Sequence, residues 1–259
     1  MRSLRNKFAS LLSFGVAVAL ASNATAAPAE YFTGHGDIGL EYDAGGNSLE
    51  LHYHFEDGFN ETGMPFGPEM EFEPDEVYVR VSDATSAVLP FDAPVLGSLT
   101  GDTVWILPLS EALADAAGLA PHLGIAAEEL SPLTFSSIDL TLTGFSGPAG
   151  GEFALYTGTL DAPTVSMQTS DGLSALGDTY NPIVGDHDHE NWGFSAPGVY
   201  DLTFTATAFF TAGAGGGSIS DEQTFTFAVG DATAIPEPSS LLALASLGAF
   251  GAAHRRRRK

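Results

Sequence analysis

The sequence predicts an all-β protein, a β-sandwich of immunoglobulin-like or jelly-roll type, and three features carry that expectation. Apolar and polar residues alternate in short runs, Gly, Pro, Asn and Asp separate the runs, and no helix-period pattern of ordinary length occurs between 27 and 235. The length of 259 residues suits one domain of the larger all-β kind, here 27–232.

The strands follow in order. Ile38, Leu40 and Tyr42 alternate with Asp37, Gly39 and Glu41, and Leu49, Leu51, Tyr53 and Phe55 alternate with Glu50, His52, His54 and Glu56. Runs at 77–81, 104–107, 135–142 and 153–156 continue the pattern. Late in the chain, Tyr200, Leu202, Phe204, Ala206 and Ala208 alternate with Asp201, Thr203, Thr205 and Thr207, and Phe225, Phe227 and Val229 form the apolar face of the returning strand. Pro197-Gly198-Val199-Tyr200 resembles the tyrosine corner of immunoglobulin-like folds. Short helical turns are expected at 110–117 and 126–130, and a long loop at 57–75.

Composition excludes several classes. With 18 Phe, 7 Tyr and 2 Trp the chain can build a core, which a disordered acidic tail cannot. The absence of cysteine removes disulfide scaffolds, cysteine zinc fingers and thiol catalysis. Of the nine basic residues only Arg80 lies within 27–235, against 32 acids, so that stretch carries a net charge of −31. Such a field repels nucleic acid and anionic lipid, and favours cations.

Both ends read as sorting signals. Arg2, Arg5 and Lys7 precede an apolar run at 9–21, and Ala24-Thr25-Ala26 fits small-residue cleavage by signal peptidase, so 1–26 is expected to be a signal peptide. At the other end, Pro236, Glu237 and Pro238 lead into an apolar run at 241–253 and then Arg255, Arg256, Arg257, Arg258 and Lys259. The run is shorter than the ~20 residues of a stable span. It fits a transient stop in the inner membrane, with the basic block held on the cytoplasmic side. This segment, 233–259, resembles the PEP-CTERM sorting signal of Gram-negative bacteria. The resemblance implies recognition by an exosortase, removal of the tail, and a destination at the cell surface, the outer membrane or the extracellular matrix.

The chemistry is concentrated in histidine. If 44–47 turns a hairpin, the apolar faces align when Tyr42 opposes Leu49, Leu40 opposes Leu51 and Ile38 opposes Tyr53. In that register Asp37 faces His54, Gly39 faces His52 and His35 faces Glu56, which gathers His35, Asp37, His52, His54 and Glu56 on one polar face. His187 and His189 form a second His-x-His on a loop led by Gly185. Imidazole with carboxylate is the ligand chemistry of zinc and similar divalent transition metals, and a poor match to calcium. A solvated polar face explains one such pair; two pairs and His35 in a chain of seven histidines favour a site. Closed tetrahedral zinc needs four ligands, so one site drawing on both pairs is expected. His122, between Pro121 and Leu123, is expected at the surface or in a cap, and His254 belongs to the tail. No Gly-x-Ser-x-Gly, His-Glu-x-x-His or phosphate-binding Gly-rich loop occurs, so a non-catalytic role is expected.

Several blocks, in order, resemble the choice-of-anchor M domain of bacterial surface proteins, which is similar to an actinobacterial surface-anchored domain found beside metal-type transporters. They are 34–39, 49–54, 105–108, 123–125 with Glu128 and Glu129, and, most specifically, 187–200. The stretch 109–121 departs from the pattern. The resemblance implies surface anchoring and, because some members with this tail are described as zinc-repressor-controlled, zinc acquisition or storage with a metal ABC transporter as partner. The family's histidine motifs fall on His35, His52, His54, His187 and His189. The competing expectation is a structural or adhesive surface protein whose acidic face contacts calcium or extracellular polysaccharide.

Overall fold

Hydrogen-bonded pairing sorts sixteen strands into three sheets among the described residues, which in this computed structural model are 27–58, 63–67, 70–117, 120–174 and 176–235. The first sheet has the order β1 (Ala29–Tyr31), β5 (Val77–Val81), β16 (Ser218–Val229), β15 (Gly198–Phe210), β9 (Phe135–Ser146), β12 (Thr179–Tyr180). The second runs β11 (Ala162–Gln168), β10 (Phe153–Thr159), β14 (Asn191–Phe194), β7 (Thr103–Leu107), β6 (Ser86–Val88). The third runs β13 (His187–His189), β8 (Pro121–Ala126), β2 (Gly34–Asp43), β3 (Ser48–Phe55), β4 (Met70–Phe72). One short helix, α1 (Glu111–Ala117), precedes β8. The expected cleavage residues Ala24 and Ala26 lie outside the described residues. So do Pro236, Glu237, Pro238, Arg255, Arg256, Arg257 and Arg258, with the terminal helices expected there.

The alternation read in the sequence builds the sandwich. Tyr200, Leu202, Phe204, Ala206 and Ala208 are buried on one face of β15, and Phe225 and Phe227 lie opposite on β16. Phe225 meets Tyr53 of the third sheet edge-on at 4.9 Å, and Phe227 stacks on Trp192 of the second at 5.5 Å. The six-stranded sheet thus packs its apolar face against both others. Each ring so buried contributes about 1.5–3 kcal/mol. The tyrosine corner is present: the Tyr200 hydroxyl donates to Ala196 O at 2.9 Å and accepts from Ala196 N at 3.1 Å.

The hairpin of β2 and β3 has the expected register, with Tyr42 opposite Leu49, Leu40 opposite Leu51, Ile38 opposite Tyr53, Asp37 opposite His54 and Gly39 opposite His52. Two expectations are corrected. Residues 126–130 are not helical: Ala126 ends β8, opposite Gly39 and His187, and Ala127 N–H donates to Asp186 O at 2.9 Å. Five residues cannot repay helix nucleation when the backbone has sheet partners available. The stretch 57–75 is not all loop, since β4 within it pairs with the edge of β3.

The sole internal cation holds the two ends of the domain together. Arg80 is buried on β5 and forms a 2.8 Å ion pair with Glu30 of β1. Its remaining guanidinium donors reach Gly230 O at 3.0 Å and Thr233 O at 2.8 Å, where the chain leaves β16. Removing one member of a buried pair leaves the other charge unpaired, which costs about 3–5 kcal/mol. Arg80→Ala is therefore expected to destabilise the domain by that order in urea unfolding, whereas Glu222→Gln on the exposed face stays within about 0.5 kcal/mol; equal, small effects would refute the clasp.

Candidate metal centre

Register across the third sheet dictates which side chains share its polar face. Paired residues on neighbouring strands point the same way. His189, Gly124, Asp37, His54 and Glu71 form one continuous row across β13, β8, β2, β3 and β4. His187, Ala126, Gly39 and His52 form the next row, and His122 with His35 the one on the other side. His187 and His189 lie on a short strand and not on the expected loop, because the backbone of β8 offers their segment a partner. Gly124 lets the central row close up. A Cβ there would collide with Asp37 Oδ1 and His189 Cε1.

Three imidazoles converge beside Asp37. His35 Nε2 lies 3.2 Å from His189 Nε2, and the ring of His187 is 5.8 Å from that of His35 and 5.4 Å from that of His189. One ring nitrogen from each of His35, His187 and His189 lies within 4.8 Å of the others. Two nitrogens bound to a tetrahedral zinc at ~2.0–2.1 Å would be about 3.3 Å apart, close to the His35–His189 separation. Carboxylates orient two of the rings. Glu56 Oε2 is 3.0 Å from His35 Nδ1, and Glu128 Oε1 is 2.8 Å from His187 Nδ1. Each carboxylate accepts from the ring Nδ1 and leaves Nε2 available as the ligating nitrogen, the arrangement that supports metal-ligating histidines.

Asp37 is the anomaly of the site. Its side chain is 1% exposed and its Oδ1 has no hydrogen-bond partner. Burial pushes its pKa up to about 6, with His35 and His187 acting in the opposite direction. A buried carboxylate oxygen without a donor is expensive, and a bound cation is a natural way to satisfy it. His189 is held neutral, its pKa pushed down to about 3 by burial and then by His122, His35 and His187. Glu128 raises the pKa of His187 by accepting its hydrogen bond.

His122 belongs to this cluster, contrary to its expected place at the surface or in a cap. It is buried, stacks on His189 with centroids 3.7 Å apart and planes 10° from parallel, and faces His35 at 5.1 Å. Its Nε2 donates to Leu109 O at 3.1 Å, so its Nδ1 carries a lone pair that is buried without a partner. The signal for it was the parallel pairing of β8 with β2, which the local sequence does not announce.

The expected residues fall into separate groups. His35 lies within ligand distance of His187 and His189, and also of Asp37 and Glu56, so it joins the two sets; His52 lies within ligand distance of Glu71 and Glu129 instead; and His54 sits between, opposite Asp37. Among the described residues, no group of ligand atoms within 4.8 Å combines the two His-x-His pairs.

Residues 234–259 match the PEP-CTERM protein-sorting motif. That motif marks an exported protein of Gram-negative type, sorted to the surface and processed by exosortase. No curated protein and no solved structure gave a significant match to the chain. Among the described residues no helix is long and apolar enough to cross a membrane.

The raised pKa of Asp37 fixes the sign of a stability effect. A carboxyl group that holds its proton more tightly when folded favours folding at low pH, and that contribution is lost as pH rises from about 4 through about 6. Asp37→Asn should therefore stabilise the chelator-treated protein at pH 7, by on the order of 1–3 kcal/mol, with the gain vanishing below pH 4. Thermal unfolding across this range checks it, and a variant less stable than wild type at pH 7 would contradict it.

Proposed function

We propose that this exported protein binds a divalent transition metal, preferably zinc, through His35, His187, His189 and Asp37, and serves metal acquisition or storage at the cell surface without catalysis. The observation that carries this reading is the buried carboxylate of Asp37, whose Oδ1 has no hydrogen-bond partner, beside three imidazoles, two of them oriented by carboxylates. Three nitrogens and one oxygen suit zinc and its neighbours, and a four-ligand shell leaves no open position for hydrolytic chemistry. The resemblance of 187–200 and 34–39 to choice-of-anchor M blocks supports the same reading, as does the likeness of that domain to one found beside metal-type transporters. Signal-peptidase cleavage after Ala26 and transfer of metal to a surface transporter complete the proposal.

The chemistry is competition between metal and protons. A metal on His189 Nε2 takes the place of the His189–His35 hydrogen bond and leaves the single proton of the neutral His189 ring on Nδ1, while protons held by His187 and Asp37 are released on binding. Affinity should fall as pH drops, because His187, whose pKa Glu128 raises, and Asp37, at about 6, take up protons that compete with the metal.

Metal analysis and zinc titration of the exported protein test the reading. Wild type should hold zinc tightly; His187→Ala with His189→Ala should lose that tight ion; and Glu128→Gln should weaken it by about 10–100-fold through loss of ring orientation. Unchanged tight binding in the double-histidine variant would overturn the assignment.

A further inference from the structure

A second cluster on the same sheet face lies beyond the first, and we propose that it is a separate, weaker site for a divalent transition cation, built from His52, Glu71 and Glu129. One ligand atom from each of these residues lies within 4.8 Å of the others. They come from three elements: His52 from β3, Glu71 from the edge strand β4, and Glu129 from the turn after β8. His52 is 7% exposed, and its Nε2 is buried without a hydrogen-bond partner. Gly39 makes room for that ring, since a Cβ there would stand 2.7 Å from Nε2.

Electrostatics leave the cluster in need of a positive charge. Burial raises the Glu129 pKa, and the neighbouring carboxylates of Glu71 and Glu41 raise it further. Arg80 is the only Lys or Arg in 27–235, and it is committed to Glu30. No basic side chain of the domain is therefore available to neutralise these acids, and histidine and an external cation are what remain.

The two clusters are distinct in space. His187 and His52 occupy the same row but are separated by three strand spacings, about 14 Å at the backbone. One imidazole with two carboxylates, both on exposed residues, makes a softer-to-harder mixed set with room for water. It is therefore expected to bind more weakly and exchange faster than a site with three imidazoles.

Zinc titration of the exported protein, by calorimetry and by metal analysis after equilibrium dialysis, separates this proposal from the one above. Wild type should take up two ions, the second at least tenfold weaker. His52→Ala with Glu129→Gln should lose the second ion and leave the affinity of the first within about twofold. Glu71→Gln with Glu129→Gln, which changes only exposed residues, should do the same with an unchanged unfolding midpoint. His187→Ala with His189→Ala should lose the tight ion and keep the weak one; if it instead keeps both, the first reading fails while this one stands. Uptake of a single ion by wild type, or loss of the tight ion from the His52 and Glu129 variant, would overturn the second site.

Discussion

The parallel pairing of β8 with β2 is the constraint on which the polar face depends. β8 lies between the early hairpin and β13, so residues near position 36 and residues near position 188 become neighbours through one six-residue strand. Trp192 fixes β8 from the interior, its indole N–H donating to Leu123 O at 3.0 Å while its ring packs on Phe227. The same strand therefore turns Leu123 and Ile125 into the core and His122 and Gly124 to the opposite face. Without β8 the histidines of β2 and β13 would have no common surface.

That arrangement carries a local penalty. Asp37 sits in the middle strand of five, under the histidines, where water is excluded and no donor reaches Oδ1. Folding stability alone gives no reason to keep a carboxylate there, since an amide or a small apolar residue would be easier to bury. His189 and His122 add to the pattern: both pKa values are lowered by burial, so both rings stay neutral and retain lone pairs. Neutral imidazoles around an unsatisfied anion make a poor core and a good cation receptor. The net charge of −31 on 27–235 reinforces this by drawing cations toward the whole surface.

Much of this was legible in the chain, and what was not has a physical reason. The β2–β3 hairpin could be read to the residue, because alternating Ile38, Leu40, Leu49 and Leu51 permit one register that buries both faces consistently. The β15–β16 ribbon was equally plain from Tyr200 to Phe227. β8 was opaque: Pro-His-Leu-Gly-Ile-Ala is buried on both faces, so alternation gives no clue, and an Ala-rich helix precedes it. β13 was opaque for the opposite reason, since His-Asp-His lacks β-branched or aromatic residues and forms a strand only because β8 supplies hydrogen bonds. With both strands hidden, the sequence alone points His122 to the surface or a cap and joins the two His-x-His pairs in one site, although they lie at different places on the sheet.

Sorting to the surface and the histidine face fit together as one account, in which the sorting motif at 234–259 delivers the domain to where external cations are met. The most direct test of the central claim is X-ray absorption spectroscopy of the exported protein loaded with one equivalent of zinc. The account predicts a four-coordinate shell at ~2.0–2.1 Å, with the multiple-scattering signature of three imidazoles and one oxygen ligand. An all-oxygen shell, or one with a single imidazole, would contradict it.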